Sequence, residues 1–441
     1  MAASVFDSPL YAQLFPTGEA GRLFSDTAAI RAMLLVEGAL AKVQGNLGVI
    51  PEVSAAAIHR ATMEIQVDPG AIAAATGENG VSVPGLVAAF RDEMKAPEHA
   101  QFVHWGATSQ DIIDTGLMLR LRQALLLAEK DLRDIIAALG NEARAHAHLP
   151  MVARTYGQQA TPTSWGAVLA QFGMPLIDAL AALEPLRAST LWVSLSGAAG
   201  TSSALGPSSS ETRAALADAL GLIDPKRSWH TDRTPVLRIA DWQGQVMAAL
   251  GHMAQTLIGL TATETAEITL GASGASSTMP QKQNPVRPSA MLALVHQFTG
   301  LRSTLQTAAV HQHQRDGAAW FAEWMAVPQM TLALAASLQH ARALAGGITP
   351  QPVQMHAALE SNLGLIHAER LSFALADLMP RPDAQATSKA LCLEARAKQT
   401  PLKSLAMSDY PALPEDTFDP ASGMGQAPAL ALAFADAAEA L

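Results

Sequence analysis

The sequence predicts an all-α chain: a three-domain subunit organised around a long central helix bundle. Composition points that way first, because 49% of the 441 residues are hydrophobic, only three are Tyr, and long stretches are rich in Ala and Leu, residues that favour helix over sheet. Apolar periodicity points the same way, with Leu and Ile recurring at helical spacing through runs of more than twenty residues. The third observation is where those runs lie. They are confined to the middle of the chain, flanked by shorter, more often interrupted segments.

Residues 1–105 read as a small N-terminal helical domain. Ser25-Asp26 precedes a periodic run through Ile30, Met33, Leu34, Ala41 and Val43 that ends near Gly48, the pattern of a capped helix. A second break falls at residues 77–80. Residues 106–346 form the central domain, with helices expected over 117–139, 164–186 (kinked at Pro175), 238–264, 286–306 and 328–344. Between them lie four loops that carry chemical groups: 106–111, 154–162, 229–235 and 271–285. After Gly346-Gly347, frequent Pro and Gly mark a small C-terminal helical domain, residues 347–441.

Composition also narrows the function. A net charge of -10 and a pI near 5.7 argue against a nucleic-acid footprint. The uncharged run 242–263 is long enough to span a bilayer but contains Gln243, Gln245, His252 and Gln255, which suits a buried helix better than a lipid-facing one. No membrane partner is expected. The opening residues show no basic segment followed by an apolar one, and the single Cys392 excludes an internal disulfide framework, so the expected compartment is the cytoplasm. Charged residues are only 15% of the chain at a mean hydropathy of +0.16, below the roughly 25% of an average domain. Much of the surface is therefore expected to be covered by other subunits.

The most informative segment runs from Gly274 to Pro285, G-A-S-S-T-M-P-Q-K-Q-N-P. Pro280 and Pro285 exclude continuous helix. The loop carries hydroxyls at Ser276 and Ser277, a cation at Lys282 and an amide at Asn284, the groups needed to hold a carboxylate while a proton moves beside it. The segment His104–Asp111, H-W-G-A-T-S-Q-D, places hydroxyls at the start of a helix, where free N–H groups attract anions; the same residues also suit an ordinary helix cap. Trp229–Arg233, W-H-T-D-R, offers His230 as a proton carrier and Arg233 as a carboxylate clamp. His311 and His313 lie two residues apart, a poor spacing for one metal on a helix, and no carboxylate set supports them. No metal and no cofactor are expected.

These strings resemble the fumarase/aspartase superfamily, whose loop reads G-S-S-x-M-P-x-K-x-N-P and whose first motif reads H-x-G-x-T-S-x-D. The resemblance extends over nearly the whole chain and is weakest in the last hundred residues. It implies a homotetramer of fumarase/aspartase-like subunits, with active sites assembled from loops of three subunits. It places the catalytic Ser on Ser276 and carboxylate-binding groups on Lys282 and Asn284, with Ser277, Thr278 and Met279 beside them. Thr108, Ser109 and Gln110 fall in the first motif; Thr155 and Gln158 match the Thr and Gln of the second, T-H-x-Q-x-A. Where fumarases and adenylosuccinate or argininosuccinate lyases carry His in that motif, this chain has Tyr156, a poor acid-base substitute at neutral pH. Aromatic residues at this place are typical of the bacterial carboxymuconate cycloisomerase branch, to which W-H-T-x-R, H-x-R with Arg315, and W-x-A-E-W are also similar. Ala275, Gln312 and Gln314 depart from the usual Gly, Glu and Glu. The resemblance thus implies a cofactor-independent intramolecular lyase acting on a small polycarboxylate, with Ser276 as the proton-transfer residue and His230 or His313 as competing assignments. A lyase for succinyl-type substrates, a cycloisomerase for a substituted muconate and a non-catalytic protein on the same scaffold are the alternatives.

Overall fold

The computed structural model describes residues 4–271, 274–275, 278–279 and 282–441. Helices dominate; among the described residues the sheet is limited to three two-stranded pieces. The chain groups into two compact units, each discontinuous in sequence. One comprises residues 1–130, 179–248 and 293–339, and the other residues 131–178, 249–292 and 340–441.

Five long helices supply the frame: Ser109–Ala145, Trp165–Ala181, Thr234–Leu260, Val286–Ala308 and Gly317–Ala345. Each overlaps one of the helices expected from sequence, but the ends differ: the 164–186 run stops as one helix at Ala181 and the 238–264 run at Leu260. The Ser109–Ala145 helix begins eight residues before Leu117 because Thr108 and Asp111 cap it: the Thr108 N–H donates to the Asp111 carboxylate at 3.1 Å, and the Asp111 N–H donates to the Thr108 carbonyl at 3.0 Å. The last helix was expected to start at Pro328, yet it runs from Gly317 with Pro328 inside. Proline removes one N–H without forbidding helix on both sides, and Trp320, Ala326, Val327 and Met330 are buried across the position. The Trp165–Ala181 helix contains Pro175, and a second helix, Leu183–Thr190, follows directly. This 165–190 stretch is long and apolar enough to cross a membrane by composition, and just over half of it is buried inside the protein.

Within the first unit, Asp26–Asn46 packs against Glu52–Glu64, and Ser25 caps the former by accepting from the Ala28 N–H. Polar pins tie the long helices there: the Trp242 indole donates to the Ala179 carbonyl at 2.8 Å, and Gln243 donates to Thr331 at 3.1 Å. In the second unit Gly166 lets the Trp165–Ala181 helix lie against the 143–147 backbone, where an added Cβ would sit 2.5 Å from the Ala143 carbonyl oxygen. The C-terminal helices bury Leu371, Leu375, Leu391 and Leu402 in a core of their own.

Two loops of the sequence reading turn out to be strand pairs. Residues 154–162 belong to an antiparallel hairpin, Pro150–Thr155 with Gln158–Ser164, whose register pairs Thr155 with Gln158. The two turn residues, Tyr156 and Gly157, both have positive φ (52° and 72°), the backbone of a tight hairpin turn that matches strand twist. The 271–285 segment is pinched at its base, where Gly274–Ala275 pairs with Gln283–Asn284. A Cβ on Gly274 would meet Val286 at 2.5 Å, so the close approach needs glycine.

Candidate active site

The first unit gathers one set of the expected residues around Asp111. Its carboxylate accepts five hydrogen bonds: from the N–H groups of Thr108, Ser196 and Gly197, from the Ser194 hydroxyl at 3.0 Å, and from His230 Nε2 at 2.9 Å. A carboxylate only accepts, so His230 carries its proton on Nε2, and Nδ1 is the nitrogen left with a lone pair. That Nδ1 is buried without a hydrogen-bond partner among the described residues. An Asp–His pair of this kind fixes the tautomer and steadies an imidazolium if one forms. Above it, His104 is bonded to buried Glu37 at 2.6 Å. Burial opposes the charge on His104, but the Glu37 bond and its negative charge outweigh it and hold the imidazole above its ordinary value. Gln44 donates to the Trp105 carbonyl, so the 104–108 turn is anchored from two sides. The Thr108 and Ser109 hydroxyls lie half-buried at the start of the helix.

Two expectations are corrected. Arg233 does not present a clamp to a ligand: it is buried, and all five of its N–H groups are spent. Two face Asp114, two face Glu323 at 2.6 and 2.8 Å, and the fifth lies 3.5 Å from the Trp229 carbonyl. Flanked by two carboxylates, the guanidinium is held above its usual value despite burial. Burial works the other way on Glu323 and raises its carboxyl, although Arg233 pulls it back. Gln110, expected to bind substrate, is likewise fully buried. It donates to Asp114 and to the His230 carbonyl and accepts from Arg315 Nε at 2.7 Å. Both residues hold their neighbours in place. Arg315 itself is exposed and holds Gln110 through its Nε.

His313 is exposed, at φ 55°. Its neighbour His311, to which the sequence reading gave no role, has both ring nitrogens buried without a partner among the described residues. Burial and then the nearby Arg233 hold its imidazole below the ordinary value. Asp111, Asp114, Glu323 and His311 are the residues that sequence reasoning left unassigned. For the three acids the signal was present: Asp111 closes the first motif, Asp114 follows three residues later on the same helix face, and Glu323 is the acid of W-x-A-E-W.

The second unit carries the other expected residues. Thr155, Tyr156 and Gln158 are exposed at the hairpin tip, which Arg154 braces from behind with two bonds to buried Glu267 at 2.6 and 2.9 Å. Thr155 lines a cavity of about 560 Å³ with Gln171, His252 and Gln255. Lys282 and Asn284 line another of about 480 Å³ with Thr261, Thr263 and Thr269. Lys282 and Met279 are exposed, joined by the bond from the Lys282 N–H to the Met279 carbonyl; Thr278 is exposed too. Ser276 and Ser277 lie outside the described residues.

Comparison with known proteins places these features. A family model described as lyase matches residues 18–300. The chain is 36% identical, over 87% of its length and 84% of the relative's, to a 3-carboxy-cis,cis-muconate cycloisomerase of Pseudomonas aeruginosa. It is 33% identical, over 97% of its length and 94% of the relative's, to a nitrosuccinate lyase of Streptomyces davaonensis. Among solved structures, the 3-carboxy-cis,cis-muconate lactonizing enzyme from Pseudomonas putida superposes with a TM-score of 0.92 at 32% identity, over 98% of this chain and 99% of that one. The chain therefore belongs to the lyase family, within the fumarase/aspartase superfamily that its loops resemble.

Proposed function

We propose that this enzyme is a 3-carboxy-cis,cis-muconate cycloisomerase. The observation that carries the reading is residue 156. The hairpin tip that bears a catalytic His in the amine-releasing branches bears here a fully exposed phenol, while the similarity to cycloisomerases extends over most of the chain. Closing a lactone inside one molecule releases no amine, so no imidazole is required there to protonate a leaving group.

In the proposed reaction a carboxylate oxygen of the substrate forms a bond to an alkene carbon. The π pair shifts to the carbon alpha to a second carboxylate, and that carbon takes up a proton. Apart from that added proton, substrate and product carboxylates contain the same atoms and no electrons leave, so the chemistry calls for no redox cofactor. Charge builds on the second carboxylate as the bond forms, and fixed donors aimed at it lower the barrier. Lys282, Asn284 and Arg315, with the Thr108 and Ser109 hydroxyls at a helix N-terminus, are assigned to the carboxylates. Thr155, Gln158, Ser277, Thr278 and Met279 are assigned to the walls, and Ser276 to proton transfer. His230, oriented by Asp111, and His313 compete with Ser276 for that role. Holding nucleophile and alkene in reach supplies much of the remaining rate.

The assignment extends to a cytoplasmic homotetramer in which loops of different copies complete each site. The low charge content and the exposed apolar side chains on the long helices, Leu126, Met174, Phe321 and Met325, support it.

The test is an ultraviolet assay following loss of the conjugated diene absorbance of 3-carboxy-cis,cis-muconate. Turnover is expected, with Lys282→Ala raising KM at least tenfold. No turnover, with rapid formation of AMP from adenylosuccinate, would replace this reading by the lyase one. The nitrosuccinate lyase relative keeps a third arm worthwhile, elimination from a succinyl-type substrate. Mixing the impaired Asp111→Asn and Lys282→Ala chains tests the shared site: activity above that of either variant after subunit exchange supports it, and none above removes it.

A further inference from the structure

A cavity of about 260 Å³ within the first unit is lined by no residue of the four site-bearing loops. It is walled by the start of Asp26–Asn46, by Ser82 just before Val83–Met94, and by residues 113–120 of Ser109–Ala145 and 323–328 of Gly317–Ala345. Most of the wall is apolar: Met33, Ile113, Leu117, Val327 and Pro328. The polar groups are few. The Arg120 guanidinium lies 5.5 Å from the centre of the Phe24 ring. It makes no hydrogen bond or ion pair among the described residues, and its Nε is buried without a partner. Trp324 presents an indole N–H that is buried and equally unpartnered, its ring fixed edge-on against Trp320 at 4.6 Å. Ser82, whose hydroxyl makes only a 3.7 Å contact to the Met33 sulfur, stands at the start of the Val83–Met94 helix without capping it.

Two acids also face this space. Glu323 is fully used by Arg233, so it offers Arg120 little. Asp26, exposed in the first turn of its helix, is outside ion-pair distance. Its field supports the Arg120 charge, but burial outweighs it and lowers the guanidinium to about 10. A half-buried guanidinium with its Nε unpartnered is costly, and an arriving anion that bonds to it relieves that cost. The Asp26 and Glu323 carboxylates beside the single Arg120 cation disfavour a ligand with several negative charges. Apolar walls and an aromatic face favour one with a hydrophobic body.

We propose that this cavity is a second ligand site, taking a monocarboxylate with an apolar body, an aromatic acid of benzoate size. Its carboxylate pairs with Arg120 and accepts from the Trp324 indole and the Ser82 hydroxyl, and its ring lies against Met33, Leu117 and Val327. The volume is several times the roughly 30 Å³ share of one liquid water, enough for such a ligand. The site stands on residues separate from Lys282 and Asn284, so it does not depend on the catalytic reading.

The experiment is calorimetric titration of the folded, assembled protein with sodium benzoate, and separately with succinate. Benzoate is expected to bind saturably. Arg120→Met should weaken it at least tenfold and Trp324→Phe several-fold, while Lys282→Ala leaves it unchanged. Succinate binding should respond to Lys282→Ala and not to Arg120→Met. Circular dichroism checks that each variant is folded, and Arg120→Lys, which keeps the charge but loses the fork, serves if the Met variant is not. No saturable benzoate binding overturns the proposal, as does binding indifferent to both Arg120 and Trp324 or abolished by Lys282→Ala. Loss of the oligomer in Arg120→Met with no benzoate response in wild type overturns it too, because the carboxylate would then come from a second copy of the chain.

Discussion

Replacing Arg233 by Met removes a cation and leaves two carboxylates facing each other in a sealed space. Asp114 and Glu323 are both buried, and Arg233 supplies Glu323 with bonds of 2.6 and 2.8 Å and Asp114 with bonds of 2.7 and 3.2 Å. Deleting one partner of a buried ion pair costs about 3–5 kcal/mol, chiefly because the remaining charge has nothing to offset its desolvation. Here two charges are stranded; Asp114 keeps the Gln110 and Trp320 donors, so Glu323 bears most of the loss. Its carboxyl is already raised by burial with Arg233 in place, and losing the cation moves it higher still. A carboxyl raised in the folded state binds more protons folded than unfolded, so stability falls as pH rises. The deficit of Arg233→Met should therefore be largest near pH 8 and shrink as pH falls toward the ordinary Glu value of about 4.3. Urea denaturation at pH 8 and pH 5.5 reads both quantities. Adding Glu323→Leu should recover part of the loss at pH 8, since an apolar side chain leaves no stranded charge. A deficit below about 1 kcal/mol at pH 8, or one that does not change with pH, would refute the picture of a tight buried triad.

Asp111→Asn keeps the shape but exchanges an acceptor for a donor at the junction of five bonds; kcat should fall by roughly a hundredfold or more, the range of a lost general acid-base partner, and steady-state kinetics will show whether KM moves less than kcat. The His104–Glu37 pair, whose imidazole is raised, should add stability in full below about pH 6.5 and lose that contribution as pH rises through the folded value, so the thermal midpoint of Glu37→Gln should depend on pH less than that of wild type between pH 6 and 8. Gly166→Ala drives a methyl to within 2.5–2.9 Å of the 143–147 backbone, which cannot rotate away as a side chain can, and should lower stability by about 1–3 kcal/mol in denaturant titration.

The helical frame was legible because burial imposes period on sequence: Leu117, Leu121, Leu125, Leu132, Ile136 and Leu139 all bury on one helix. Helix ends were less so, since Thr108 and Asp111 define a start through two hydrogen bonds that apolar spacing does not register. The 150–164 hairpin was hidden because Gly157 and Pro162 read as loop punctuation, whereas the first is a turn residue and the second pairs across from Val152. Arg233 was misread for a different reason. Its residue type suits a substrate clamp and a buried strut equally, and the choice depends on Asp114 and Glu323, which are 119 and 90 residues away in sequence.

Those distant partners also explain how the expected chemical residues divide. Asp111, Gln110 and Arg233 spend nearly all their hydrogen-bonding capacity on fixed neighbours, among them His230, Ser194, Asp114 and Glu323, and a group so committed cannot reorient when charge appears in front of it. That is the condition for electrostatic stabilisation without reorganisation cost, and it makes this cluster a rigid wall. Tyr156, Lys282, Met279 and Gln158 have the opposite character: they stand exposed on a hairpin tip and a pinched loop, in high dielectric, where a lysine discriminates weakly between carboxylate and water. The proposed chemistry requires both kinds of group in one desolvated place. A loop carrying Lys282 gains selectivity only when another surface removes the water around it. In the proposed assembly, the low charge of this chain and its exposed apolar helix positions suit a subunit surface that supplies such a cover.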